Sequence, residues 1–200
     1  MTITNEQIAT LNELRRDCAK LQKKGLHFIL ASVFIWMAIW IVHLTNLPIQ
    51  TKNLLTFCVA CPMMPLAWMF SKLIHVDFQG KSNPLTSLGL LFTVNQILYI
   101  LIAMWVFSAV PEKMLMVYAM IFGAHLMPYS WLYQSKSYMV MSIVVPILAL
   151  VVGILTQPQI LAAIMSGMEV AFSLALIVEN KKEQATNSVG GKSTNVCSIR

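Results

Sequence analysis

The sequence predicts an all-α polytopic membrane protein, a bundle of six transmembrane helices preceded by a cytoplasmic amphipathic helix, and three observations predict it. The 200 residues are 58% hydrophobic and only 11% charged, with a mean hydropathy of +0.70, whereas a soluble domain has roughly 45–50% apolar and about 25% charged residues. The apolar residues gather in runs near the ~20 residues that a helix needs to cross a hydrocarbon core, with short polar breaks between them. The runs lack the period-2 alternation of a membrane barrel, so the spanning structure is helical.

Residues 1–25 read as a basic amphipathic helix. Thr4 and Gln7 fit a capping box, and Ile8, Leu11, Leu14, Cys18 and Leu21 recur at three- and four-residue steps. Arg15, Arg16, Lys20, Lys23 and Lys24 crowd the end nearest the first apolar run. Such a helix anchors on anionic lipid, or else serves residues 4–24 as a surface for a protein partner or a homo-oligomer.

Spans are expected at 26–44, 54–73, 85–110, 114–132, 138–156 and 160–178. Gln157 and Pro158 turn the chain between the last two, which together would be twice the length a bilayer accepts. The first run is long and lacks a small-residue cleavage site, so it reads as a retained span rather than a signal peptide. Residues 180–200 turn polar and small and are expected to form a disordered cytoplasmic tail. Gly190, Gly191, Lys192 and Ser193 there imitate the end of a phosphate-binding loop, but no strand precedes them.

An even number of spans puts both termini on one side. With the termini inside, twelve of the fourteen lysines and arginines fall on inner segments and only Lys52 and Lys113 outside, so the positive-inside rule predicts cytoplasmic termini. The net charge of +6 is thereby a matter of topology, and nucleic acid is not an expected partner; the lipid bilayer is.

The candidate site is a buried polar centre. Glu169, His125, Asn95 and Gln96 each fall near the middle of a predicted span, with Tyr129 one turn after His125 and Ser166 one turn before Glu169. A carboxyl group is costly at that depth and marks a functional site by default. Without a cation beside it, desolvation favours its protonated form, which makes a proton, ion or small-solute site the leading expectation. The competing reading is a set of packing hydrogen bonds among these side chains. Ala163, Gly167 and Ala171 form a small-residue ridge that would let another helix approach. Pro62, Pro65, Pro128 and Pro146 each free a backbone carbonyl inside a span.

Two other chemistries are weaker. Cys58 and Cys61 form a C-x-x-C pair on one helix face, the basis of a thiol oxidoreductase alternative, but no second pair is placed to relay a disulfide. His27, His75 and Asp77, or His125 with Glu169, lack paired ligands at helical spacing, so neither a metal nor another cofactor is expected.

Asn83-Pro84-Leu85, Leu88-Gly89, Gln96-Ile97-Leu98-Tyr99 and, most specifically, the run Gly123-Ala124-His125-Leu126-Met127-Pro128-Tyr129-Ser130-Trp131-Leu132-Tyr133 resemble a family of uncharacterised bacterial integral membrane proteins of about this length. The resemblance covers roughly residues 25–178 and implies a bacterial inner-membrane location. It implies no catalytic or ligand residue. The expected function is transport or sensing of a small solute or ion, with a non-catalytic membrane regulator or assembly partner as the alternative.

Overall fold

The computed structural model describes residues 4–76, 78 and 83–194, with the backbone alone at 184 and 186–194. Asp77, Lys81, Cys197 and Arg200, which entered the metal, charge and tail arguments, lie outside the described residues. Nine helices and two short 3₁₀ turns occur among the described residues, with no strand. They are α1 (Asn5–Leu21), α2 (Leu26–Leu44), α3 (Ile49–Ala60), α4 (Met63–Leu73), α5 (Leu85–Ala109), α6 (Met114–Ala124), α7 (Met127–Leu132), α8 (Lys136–Leu155) and α9 (Pro158–Thr194). Taken with their breaks, they give six segments long and apolar enough to cross a membrane.

The segment formed by α3 and α4 begins at Ile49, five residues before the expected start. Three of the polar residues there are held by partners: Lys52 donates to the His43 carbonyl (3.2 Å), Asn53 to the Pro111 carbonyl (2.8 Å), and Thr56 lies 3.2 Å from His43 Nε2. Two segments are broken where prolines remove a backbone donor. α3 stops at Ala60 ahead of Pro62, and α6 stops at Ala124 ahead of Pro128. Pro146, by contrast, is carried inside a continuous α8.

The core is built on α2, which packs against α9, α4 and α3, and on the pair of α6 and α8. Trp36, Ile39, Leu115, Leu161, Met165, Phe172 and Leu176 are almost wholly buried between them. α6 and α8 approach closely at Gly123, where an added Cβ would sit 2.5 Å from Pro146 Cδ. Gly167 plays no such part: nothing lies within 4 Å of where its Cβ would be, and Gly167 and Ala171 are exposed. The expected small-residue ridge of the last span therefore faces outward, and the close approach is made by Gly123 instead. α5 packs mainly on α6 and α7, and its outward apolar face is suited to lipid.

α1 docks across one end of the bundle. Arg15 stacks over the Trp131 ring at 4.2 Å and donates to the Trp131 carbonyl (3.0 Å from Nε), while Asn83 donates to the Leu14 carbonyl (2.8 Å). Its second half buries Cys18 and Ala19; Ile8 and Leu11, nearer its start, remain exposed.

Between α1 and α2 the chain makes a left-handed turn, with φ of 45°, 53° and 68° at Lys23, Lys24 and Gly25. Two non-glycine residues in that region carry a conformational cost, offset by a dense set of partners. Lys24 Nζ pairs with Glu179 Oε1 and Glu183 Oε2, both at 3.1 Å. Asn180 donates to the Lys23 carbonyl (3.0 Å), Tyr138 to the Lys24 carbonyl (2.9 Å) and Ser135 to Glu179 (2.8 Å). These contacts give Glu179, Asn180 and Glu183 a reason to be helical. α9 accordingly continues to Thr194 instead of ending at Val178, where the apolar run stops and an unstructured tail was expected.

Candidate functional site

Glu169 lies in the middle of the span 158–183 and has no exposed surface. Its helix, α9, runs against α2, and this pairing sets Ser32 opposite it: the Ser32 hydroxyl hydrogen-bonds carboxyl oxygen Oε2 and also donates to the Ile29 carbonyl (2.8 Å). Oε1 has no hydrogen-bond partner. Tyr138, from the start of α8, is within electrostatic reach of the same carboxyl group and places its ring edge-on to Phe172, 4.9 Å between centroids. The described residues put no lysine or arginine in contact with Glu169.

Ser32 is also one wall of a cavity of about 60 Å³, room for a few waters. The other walls come from both sides of the α6–α7 break. His125 sits in the break itself, its Nδ1 donating to the Phe122 carbonyl, and Tyr129 follows one turn later. The Tyr129 hydroxyl donates to the Gly89 carbonyl (3.0 Å) and lies 2.7 Å from the Thr93 hydroxyl, which ties α7 to α5. Gln96, one turn beyond Thr93, lines the same space. Rings dominate the lining, with Phe28, Phe122, Tyr129, Tyr133 and Tyr138 around His125.

Beside this chamber a larger crevice of about 820 Å³ opens between α5 and α3–α4. Ser32, Met63, Thr93, Gln96 and Phe122 belong to both spaces. The remainder of the crevice wall is almost entirely apolar, with Trp36, Leu54, Phe57 and Tyr118 among its side chains.

Of the residues singled out in the sequence, His125, Tyr129 and Gln96 meet around the chamber, and Glu169 reaches it through Ser32 rather than lining it. Ser166 is buried one turn from Glu169 but bonds the Ala162 carbonyl of its own helix (2.9 Å). Asn95 is not brought in: it is exposed on the outward face of α5 and bonds only Tyr99 (2.9 Å). Adjacent residues of a helix point about 100° apart, so Gln96 facing inward turns Asn95 away. Cys58 and Cys61 are free and exposed at the α3–α4 break, with Cys61 on the crevice wall. Among the described residues no three histidine, cysteine, aspartate or glutamate side chains come together.

Ser32, Thr93, Tyr133 and Tyr138 are the site residues that sequence reasoning missed. A lone serine in an apolar run carries no signal until its partner helix is known. His27 was considered only as a ligand, yet it is fully buried with both ring nitrogens unpartnered, against the Phe28 and Phe78 rings.

The architecture and this centre define a class, an all-α protein with six helices of membrane-spanning character and a buried carboxyl group at mid-span. A family model matches residues 11–179, and the chain belongs to that family, a family of unknown function designated DUF7010. The match begins inside α1, so the docked half of that helix lies within the family's extent. No curated protein and no solved structure matches the chain.

Proposed function

We propose that this is a multi-pass protein of the bacterial inner membrane, with both termini cytoplasmic, that moves or senses a small solute or ion, protons included, at the Glu169–Ser32 centre. The orientation rests on the twelve-to-two distribution of basic residues, and the bacterial location on the family resemblance. The observation that carries the functional reading is the unpartnered Oε1 of a wholly buried carboxyl group one hydroxyl away from an open chamber.

Hydrogen counting sharpens it. Ser32 has one hydroxyl proton and two acceptors, the Ile29 carbonyl and the carboxyl group. Both are satisfied when the carboxyl is neutral and donates to Ser32, which passes its own proton to Ile29. A carboxylate formed there needs a countercharge, because an unpaired charge in such surroundings is strongly disfavoured. The centre thus has two states, a protonated one and an ionised one with a cation bound. The other titratable groups around the chamber are His125 from the α6–α7 break, Tyr129, Tyr133 and, from α8, Tyr138; α2 also carries two buried histidines, His27 and, near its far end, His43.

The test is thermal unfolding of the full chain in detergent from acid to alkaline pH, with a panel of monovalent and divalent cations, for wild type and Glu169→Gln. A ligand of the folded state at a hundredfold excess over Kd adds about 2.7 kcal/mol of stability. A pH- or cation-dependent shift that disappears in Glu169→Gln is the expected result. Identical melting of both proteins under every condition refutes the reading.

A further inference from the structure

We propose that chamber and crevice together form a binding site for an organic cation with an apolar tail, an alkylammonium-type amphiphile that enters sideways from the lipid phase. The inference rests on the functional reading of Glu169 above and names the substrate class of that centre.

The chamber suits a positive head group. Five aromatic rings besides His125 face a space of about 60 Å³, and ring faces attract ammonium groups, most effectively where water is excluded. Glu169, with one oxygen unpartnered, stands behind Ser32 and supplies the only carboxyl at that level of the described bundle. No lysine or arginine lines either space, so an anionic head group would find no countercharge. A cation that binds as the Glu169 proton leaves keeps the total charge in the membrane unchanged.

The crevice suits a tail. An inorganic cation or a proton would need only the chamber, yet the chamber shares Ser32, Met63, Thr93, Gln96 and Phe122 with a crevice of about 820 Å³ of largely apolar space. That volume falls in the range of pockets for organic molecules of moderate size. Ser32, Thr93 and Gln96 gather at one place along it, where the two spaces share their wall, with Ser108 further along α5, and that cluster sets the direction in which an amphiphile lies. Its head is held at Ser32, Thr93 and Gln96, and its tail runs past Phe57 and Met104.

The experiment measures equilibrium binding of radiolabelled decyltrimethylammonium to the full chain in nanodiscs of uncharged lipid, with empty nanodiscs as background. Its carbon isostere, in which a tert-butyl group replaces the trimethylammonium head, is measured in parallel, as are Glu169→Gln and the crevice-narrowing Ala60→Phe. Expected are saturable binding to wild type, binding weaker by on the order of tenfold for the isostere and for Glu169→Gln, and a loss in Ala60→Phe that is confined to the long-chain probe and spares tetramethylammonium. Equal binding of the isostere, equal binding by Glu169→Gln, or no saturable binding overturns the inference. If alkylammonium binding is absent while the Glu169-dependent thermal shift with protons or inorganic cations persists, the substrate class falls and the centre stands; if both are absent, both fall.

Discussion

Gly123→Ala tests the packing that holds the α6–α7 break in place. The new Cβ would lie 2.5 Å from Pro146 Cδ, 2.8 Å from Val145 Cγ1 and 2.9 Å from the Pro146 backbone nitrogen. Ordinary contact begins at 3.4 Å, so relief requires 3.4 − 2.5 = 0.9 Å of movement. Neither a proline ring nor a backbone nitrogen can rotate aside, and α6 must shift from α8 as a body. Overpacking of this kind costs about 1–3 kcal/mol, and the rigidity of the neighbours places this case near the upper end. Against it stands the gain of about 1 kcal/mol from replacing glycine by alanine in a helix. The net expectation is a loss of about 2 kcal/mol. The assay is reversible unfolding in mixed micelles, with Gly167→Ala as the control, because nothing lies within 4 Å of that Cβ and only the helix-propensity gain applies. Gly123→Ala should melt below wild type and Gly167→Ala at or slightly above it. A Gly123→Ala protein as stable as Gly167→Ala would refute the close packing of α6 on α8. His125 is two residues from Gly123, so the shift should also weaken any Glu169-dependent ligand response.

Two further outcomes follow from the end of the bundle that carries α1. Lys24→Met removes the cation between Glu179 and Glu183, which are 22% and 27% exposed at the side chain. Breaking a fully buried pair costs about 3–5 kcal/mol, and residual hydration of the two carboxylates reduces this to ~2 kcal/mol. Glu183→Gln, which leaves the Glu179 pair intact, should cost clearly less in the same unfolding assay. Cys18 is buried to 1% exposure and its burial pushes the thiol above its ordinary value. In a Cys58→Ser, Cys61→Ser, Cys197→Ser background reconstituted in lipid, which keeps Cys18 as the one thiol, it should resist a water-soluble maleimide at neutral pH until α1 is detached, for instance by Arg15→Ala; rapid labelling of the folded parent would refute the docking of α1.

The six apolar segments were legible because each is a run of hydrophobic residues of bilayer length, and the breaks at Pro62 and Pro128 follow from the missing backbone donor. What the sequence hid was which face of each helix turns inward. α5 is apolar on every side, so nothing in its pattern separates Gln96, which joins the chamber, from Asn95, which does not. The same blindness misassigned the close approach to Gly167 when Gly123 makes it. Ends were misjudged for a different reason. Ile49–Asn53 and Glu179–Glu183 are polar enough to read as loop or tail, but several of their polar groups, among them the Asn53 amide nitrogen and the Glu179 and Glu183 carboxylates, are paired with residues distant in the chain, Pro111 and Lys24. Glu169 itself was legible as an isolated carboxylate in an apolar run. Its partner Ser32 was not, because the pairing of α2 with α9 is a property of the fold alone.

The two helix breaks are where this architecture spends its irregular backbone, and both border the same space. Cys61 and Met63, from either side of the first break, stand on the crevice wall. His125 occupies the second, and Phe122 and Tyr129 on either side of it line the chamber. Interrupted helices leave backbone carbonyls without their usual donor, and inside a bilayer that is tolerated where the backbone meets protein or a polar cavity. A pair of purely static kinks would have no reason to converge. Here they face one another across the seam where α5, held to α7 by Tyr129, Thr93 and the Gly89 carbonyl, stands apart from α3–α4. The aromatic chamber and the open crevice therefore share one cause: two prolines end helices early on opposite sides of a loosely seated α5, and the space so created reaches Ser32, behind which Glu169 lies.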